Sequence, residues 1–300
     1  MAVTTQPPAG PQKVNLGEPP SWRRAKNQIM TWLMVLAFVL AMIPLGFVIV
    51  TVIAKGASVI SWSFLTSSIP VDVAPAGEGG IAPAIVGTIE ITALATVIAV
   101  PLGILGAIYI NEYGGKGLLA SIIRFMADVM TGVPSIVMGL FIFTIWTLHY
   151  GYSGMAGSFA LACLMLPIVI RSTEEMLKLV PDALREGSYA LGATKSRVTV
   201  TVVLPAAVGG IVSGALLAVA RAAGETAPLL FTIGIVTSVN RNVFAGANTS
   251  LPSLIFTNAN SVYTGAQARG WGAALTLIVI AFVLLITARF VTARFARFSR

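Results

Sequence analysis

Six apolar runs, at 29–54, 82–110, 121–147, 155–171, 198–222 and 271–292, alternate with shorter polar or basic segments. An α-helix needs roughly 20 such residues to cross the hydrocarbon core of a bilayer, so each run is read as a membrane-spanning helix. Pro44, Pro101, Pro134, Pro167 and Pro205 fall within the runs. In lipid such prolines are expected to kink a helix rather than end it, because neighbouring helices can satisfy the freed carbonyl. The pattern predicts an all-α integral membrane protein with six spans. Residues 1–28 read as a disordered cytosolic leader. The first 21 are rich in Pro, Gln and Gly, with no apolar core and no cleavage site, which argues against a signal peptide. Residues 29–300 form the membrane domain.

The basic residues set the orientation. With the N-terminus inside, only Lys55, Arg241 and Arg269 fall in outer loops, and Arg221 falls within a span. All the other arginines and lysines lie on the cytosolic side, a strong positive-inside bias that puts both termini in the cytosol. The outer loop 55–81 is glycine-rich and reads as flexible. The outer loop 223–270 contains an apolar piece, 228–236, too short to span and suited to a re-entrant or interfacial position.

Composition narrows the function. The chain of 300 residues is 56% hydrophobic and only 10% charged, with a mean hydropathy of +0.89, whereas soluble domains carry about 25% charged residues. The net charge of +8 is a topology signal between spans and does not indicate nucleic-acid binding. The one cysteine, Cys163, cannot form an intrachain disulfide, and the one histidine, His149, lies in a short loop. A zinc quartet is excluded on that count, and so is an H-E-x-x-H site. The acids are scattered and the phosphate-binding G-x-x-x-x-G-K-[ST] sequence is missing. The chain is therefore read neither as an enzyme nor as its own source of ATP-derived energy.

One cytosolic stretch, "DALREGSYALGATKSRVTVTVVLP" at 182–205, stands out. Pro181 suits the first turn of a helix, and Asp182 and Glu186 place negative charge near its N-terminal end. Gly192 suits the left-handed position that ends a helix, so 181–191 reads as a short helix. Thr194 is placed to cap the next one. Ala183, Gly187 and Ala190 share one face, which lets another surface approach the backbone. These residues alone fit both a solvated connector and a docking element.

The same stretch resembles the EAA motif of ABC importer permeases, E-A-A, three residues, G, nine residues, I-x-L-P. Glu186, Gly187 and Ser188 stand for E-A-A, Gly192 for the glycine, and Val202, Val203, Leu204 and Pro205 for the last four. Gly187, Ser188 and Val202 depart from the motif conservatively. "GGIAPAIVGT" (79–88), "VPLGILGAIYINEYG" (100–114) and "ARAAGETAPLLFT" (220–232) are similar to the PstA-type branch, the permease subunits of phosphate importers. The resemblance implies the type I (MetI-like) permease fold, with a cytosolic coupling helix between spans four and five that fits a cleft on an ATPase. It also implies a PstC-type permease as partner, two PstB-type ATPases that bind the ATP and Mg, and an external PstS-type phosphate-binding protein. No cofactor is expected in this chain.

Against that background the intramembrane charges gain meaning. Arg221 and Glu225 lie four apart at the outer end of the fifth span, on one expected helix face. Intramembrane charges usually face a partner or an aqueous path, and guanidinium offers an oxyanion forked hydrogen bonds. With Gly224 allowing close approach and Thr226 adding a hydroxyl, Arg221 is expected to line the path and Glu225 to hold or gate it. The other reading is a structural Arg–Glu pair. Asp128, four after Arg124, is expected to pair with it. Glu90 has no partner close in sequence and reads as paired, protonated or path-lining. Rivals in substrate and class are a permease for sulfate or molybdate and an ATP-independent secondary transporter.

Overall fold

A computed structural model describes residues 21–70, 74, 75, 77–115 and 117–296, and these contain helices and no strand. Most of the expected leader, residues 1–20, lies outside the described residues. Residues 21–28, also assigned to it, are instead helical and open α1 (Ser21–Gly56). They include arginine, alanine, lysine and glutamine, all good helix formers.

The chain divides into two units, residues 1–50 and 51–300. In the first, α1 runs to Val50 with no buried residue from 21 to 50. A helix apolar on all sides, as here, belongs in hydrocarbon or in a core.

The second unit begins with the last turns of α1 and a short helix, α2 (Trp62–Thr66), capped by the Ser61 hydroxyl. Then comes α3 (Ala82–Ile108), which continues as a π-helical segment over Tyr109–Gly114. α4 (Leu118–Gly132) and α5 (Ser135–Ile142) follow, with a π-helical turn at Phe143–Thr147 and a single turn, α6 (Leu148–Tyr150). α7 (Gly154–Lys178) precedes α8 (Asp182–Ala190) and the short α9 (Lys195–Val198). A third π-helical turn, Thr199–Val203, leads into α10 (Leu204–Ala223). The outer segment holds α11 (Ala227–Thr232) and α12 (Leu251–Ala259), and α13 (Thr264–Ala296) ends the described chain.

Among the described residues, five stretches are long and apolar enough to cross a membrane: Ser21–Gly56, Ala82–Gly114, Gly154–Lys178, Lys195–Ala223 and Thr264–Thr287. They coincide with five of the six predicted runs. The sixth, 121–147, is not one helix. Leu118–Gly132 and Ser135–Tyr150 meet at 107°, and count as a span only when taken together. Pro134 is the cause. Val133 and Pro134 are extended, with ψ of 126° and 137°, because a proline excludes the residue before it from helical conformation. Pro134 thus ends a helix where a kink was expected. At Pro205 the helix continues by a different device. The missing amide would have bonded the Thr201 carbonyl, and the chain widens there into a π turn, a form typical of single-turn bulges inside helices.

The core lies where α3, α7 and α10 meet. Ile91, Ala95 and Ala99 of α3 pack on Leu161, Ala162, Met165 and Val169 of α7 and on Ala218 and Ala222 of α10. Leu229 and Ile233, in and after α11, close its outer end. The expected short apolar segment is therefore a helix buried among α5, α7 and α12. Small residues set the spacing, as in membrane helix packing generally. A Cβ at Gly103 would lie 2.7 Å from Val169 Cγ1, and one at Gly139 2.6 Å from Pro228 Cα. Gly210 faces Met176 and Gly214 faces Ser172 at equally close range.

Gly103→Ala overpacks the α3–α7 contact and is expected to cost about 1–3 kcal/mol. Gly46→Ala, in α1, has no neighbour within 4 Å and leaves stability unchanged or slightly raised. Thermal melts of the two purified variants in detergent check the contrast.

Candidate transport site and coupling surface

The break between α4 and α5 makes a cavity of about 330 Å³. Met130–Ser135 form one wall and Leu164, Pro167 and Ile168 of α7 another, with Arg221 and Glu225 completing the lining. Non-helical backbone at membrane depth is tolerated where it lines such a space. α10 ends at Ala223, so Glu225 is not on the same helix as Arg221. A turn in which the Glu225 amide donates to the Ala222 carbonyl at 3.1 Å still brings the two together. Arg221 Nε lies 3.7 Å from Glu225 Oε1, with the arginine side chain 69% exposed and the glutamate 20%. That is an ion pair longer than a hydrogen bond, between two residues that both line the cavity.

The other expected path residues are placed less closely. Gly224 has φ −94° and meets no atom in the chain tightly, so nothing within this chain requires a glycine there. Thr226 is the N-cap of α11 without a side-chain hydrogen bond and does not line the cavity. Glu90 is half-buried with Oε2 unpartnered and is also not among the lining residues. Its neighbour Thr88 has a structural task, donating to the Ala84 carbonyl and accepting from the Leu251 amide.

Beyond the cavity, α7 carries charge on successive turns towards its C-terminus. The expected Arg124–Asp128 pair does not form. Asp128 binds Arg171, and Arg124 reaches Glu174 at 3.0 Å. Lys178 adds a contact to Glu174 at 2.8 Å and Arg171 one at 3.5 Å. Glu174 is 1% exposed, and three cations compensate its burial. The local spacing on α4 was a poor guide because α7 presents stronger partners to both residues. Glu174 escaped sequence reasoning for the same reason: two of its three partners lie on its own helix, but the third is 50 residues away.

Between α7 and α9, α8 forms where expected. Pro181 is its N-cap rather than its first residue, and Gly192 adopts φ +80° just past its end. Thr194 stands at the N-cap of α9, but its hydroxyl makes no capping bond and lies 3.3 Å from Ser196 Oγ. Ala183, Glu186, Gly187 and Ala190 are exposed, and a Cβ at Gly187 would meet nothing within 4 Å. Ser188 is half-buried, donating to the Leu184 carbonyl. Pro205 is exposed beyond the π turn. The small-residue face is thus open to an external surface.

Residues 99–297 match the family described as binding-protein-dependent transport system inner membrane component. The phosphate transport system permease protein PstA 1 of Mycobacterium tuberculosis (strain CDC 1551 / Oshkosh) is 44% identical over 278 residues, 91% of each chain. PstA of Yersinia pestis is 41% identical over 279 residues, 91% of this chain and 92% of its own. This chain is a PstA-type permease of the binding-protein-dependent transport family. A bacterial alginate ABC transporter in complex with an alginate-bound periplasmic protein gives a TM-score of 0.65 at 15% identity, covering 92% of this chain and 98% of its own. The MetNI methionine ABC transporter in an inward-facing form gives 0.52 at 19%, covering 74% and 94%. At these identities the structures show the fold, that of an ABC importer permease.

In the PstA-type permease the glycines of the cytosolic segment have separable tasks. Gly192→Ala forces a side chain into the left-handed region, at a cost of about 1–2 kcal/mol, and is expected to loosen the end of α8. Gly187→Ala is expected not to. Hydrogen exchange over residues 182–198 distinguishes the two.

Proposed function

We propose that this multi-pass permease is the membrane-spanning half-channel of an ATP-driven importer of inorganic phosphate. Support for the substrate comes from a relative named as a phosphate transport permease, 44% identical over 91% of this chain. One structural observation supports the path: an arginine, loosely paired with Glu225, lines a cavity at a broken helix. Arg221 keeps its charge at any physiological pH and offers parallel N–H donors to phosphate oxygens. Glu225, at 3.7 Å, neutralises Arg221 when the cavity is empty and yields to the anion when it arrives. The long contact makes that exchange easier than breaking a tight, buried pair would be. Gly224 and Thr226 shape the turn that carries Glu225.

Energy comes from partners. A PstC-type permease completes the path, a PstS-type protein delivers phosphate from outside, and two PstB-type ATPases bind ATP and Mg in the cytosol. The chain sits in the bacterial inner membrane with both termini inside. The exposed face of α8, with Ala183, Glu186, Gly187 and Ala190, docks on an ATPase, and Gly192 and Pro205 bound the docking segment. Sulfate and molybdate are not favoured, because the relatives are phosphate permeases.

Phosphate uptake by starved cells, with sulfate alongside, tests the substrate. Loss of phosphate uptake alone on deleting the chain is the expected result, and loss of sulfate uptake instead would overturn the assignment. Arg221→Ala removes a charge-assisted contact worth about 1.5–3 kcal/mol, so uptake is expected to fall at least about tenfold in an assembled complex. Full uptake would reduce Arg221–Glu225 to a structural pair. Gly187→Trp adds bulk where the chain itself has room, and should release the ATPase from the purified complex without lowering the melting temperature of the permease.

A further inference from the structure

α8 is a helix of nine residues with none buried. Helices shorter than about 12 residues are marginal in water by themselves, and α8 has no apolar face sunk into the spans to hold it. Besides packing on the π-helical turn at Thr199–Val203, it is held by the hydrogen bonds of one side chain. Arg185 is 14% exposed and spreads its guanidinium over four acceptors. Nη1 donates to the Val180 carbonyl at 2.6 Å and to Asp182 Oδ1 at 3.0 Å. Nη2 donates to the Leu177 carbonyl at 2.9 Å and to Glu112 Oε1 at 3.1 Å. The two carbonyls belong to the C-terminal end of α7, where unpaired acceptors and the helix dipole favour a cation. Glu112 is buried in the π-helical end of α3, where Asn111 Nδ2 fixes the same oxygen at 2.8 Å.

At 3.6 residues per turn, Arg185 points away from Ala183, Gly187 and Ala190. One face of α8 is open, and the other is bolted to the ends of two spans. Those spans pack tightly on each other at Gly103 and Val169, and α7 carries Leu164, Pro167 and Ile168 of the Arg221 cavity.

We infer that Arg185 is the positioning residue through which movement of α8 reaches the transport cavity, by way of Glu112 on α3 and the C-terminal carbonyls of α7. The inference rests on the proposed role of α8 in docking an ATPase. Without the bolt, α8 would keep its two peptide connections and its packing on the Thr199–Val203 turn, but would lose its link to Glu112 and to the end of α7. ATP would then be spent without moving the spans, so the signature is lost coupling rather than lost assembly.

The test uses the complete complex, permeases with ATPases and binding protein, in liposomes, and measures phosphate imported per ATP hydrolysed. For Arg185→Ala and for Glu112→Gln the ratio is expected to fall at least about fivefold, with the ATPase still co-purifying in normal amount. The double variant is expected to be no worse than the poorer single one, as for two ends of one contact. Arg185→Lys keeps the charge but not the fork and should fall between. An unchanged ratio in both single variants overturns the inference. So does a proportional fall of uptake and hydrolysis with the ATPase lost, which marks a purely structural peg. If Arg185→Ala fails to assemble, Glu112→Gln decides alone, since it removes charge and keeps shape. Failure of the unmodified complex to import phosphate on ATP would instead sink the functional reading on which the inference stands.

Discussion

Helices in lipid gain nothing by excluding water from one another, so their association depends on close fit. The structure turns on one such fit, the seam between α3 and α7. Gly103 lets Val169 approach to a distance that no Cβ would allow, and Ile91, Ala95 and Ala99 interlock with the alanines and leucine opposite. α10 joins by the same means, through Gly210 and Gly214. Once this three-helix core is set, its ends are fixed in space. One end receives α11, and the opposite end presents Glu112 and the carbonyls of Leu177 and Val180.

The seam also explains where irregular backbone is allowed. A chain in hydrocarbon must satisfy every amide and carbonyl internally, so breaks are confined to positions backed by rigid neighbours or open to a polar space. The 107° bend at Pro134 faces α7 and the Arg221 cavity. The π turn before Pro205 keeps its helix continuous while accommodating a missing amide. Two prolines read alike in sequence therefore do different things. Pro134 follows Gly132 and Val133 and opens a cavity, whereas Pro205 follows a run of β-branched residues that stays helical.

Charge follows the same division. Within the spans, Glu174 is buried because three cations on two helices compensate it. Arg221 instead meets a single carboxylate at a loose distance. A tight network resists an incoming anion and a loose pair admits one, which is why the transport role is proposed for the loose pair. α8 combines an exposed face with no internal task and an inner arginine with four. That contrast suits an element that must bind a partner and transmit what the partner does.

The sequence alone determined the number of apolar runs and the existence of α8, because hydrophobic length and turn chemistry are local properties. Gly192 at φ +80° is the clearest case: only the left-handed position made sense of a glycine there. The spacing of the EAA-like residues and the Arg221–Glu225 pairing were legible for the same reason, although the pair is joined by a turn and not by a helix face. Tertiary structure alone decided which charges meet. Asp128 chose Arg171 over Arg124, and Arg185 found Glu112 across 73 residues of chain. It also decided that Pro134 breaks its helix and that Glu90 stands apart from the cavity. Those outcomes depend on how α3, α4, α7 and α8 approach one another in space, and residue spacing along one helix carries no record of that.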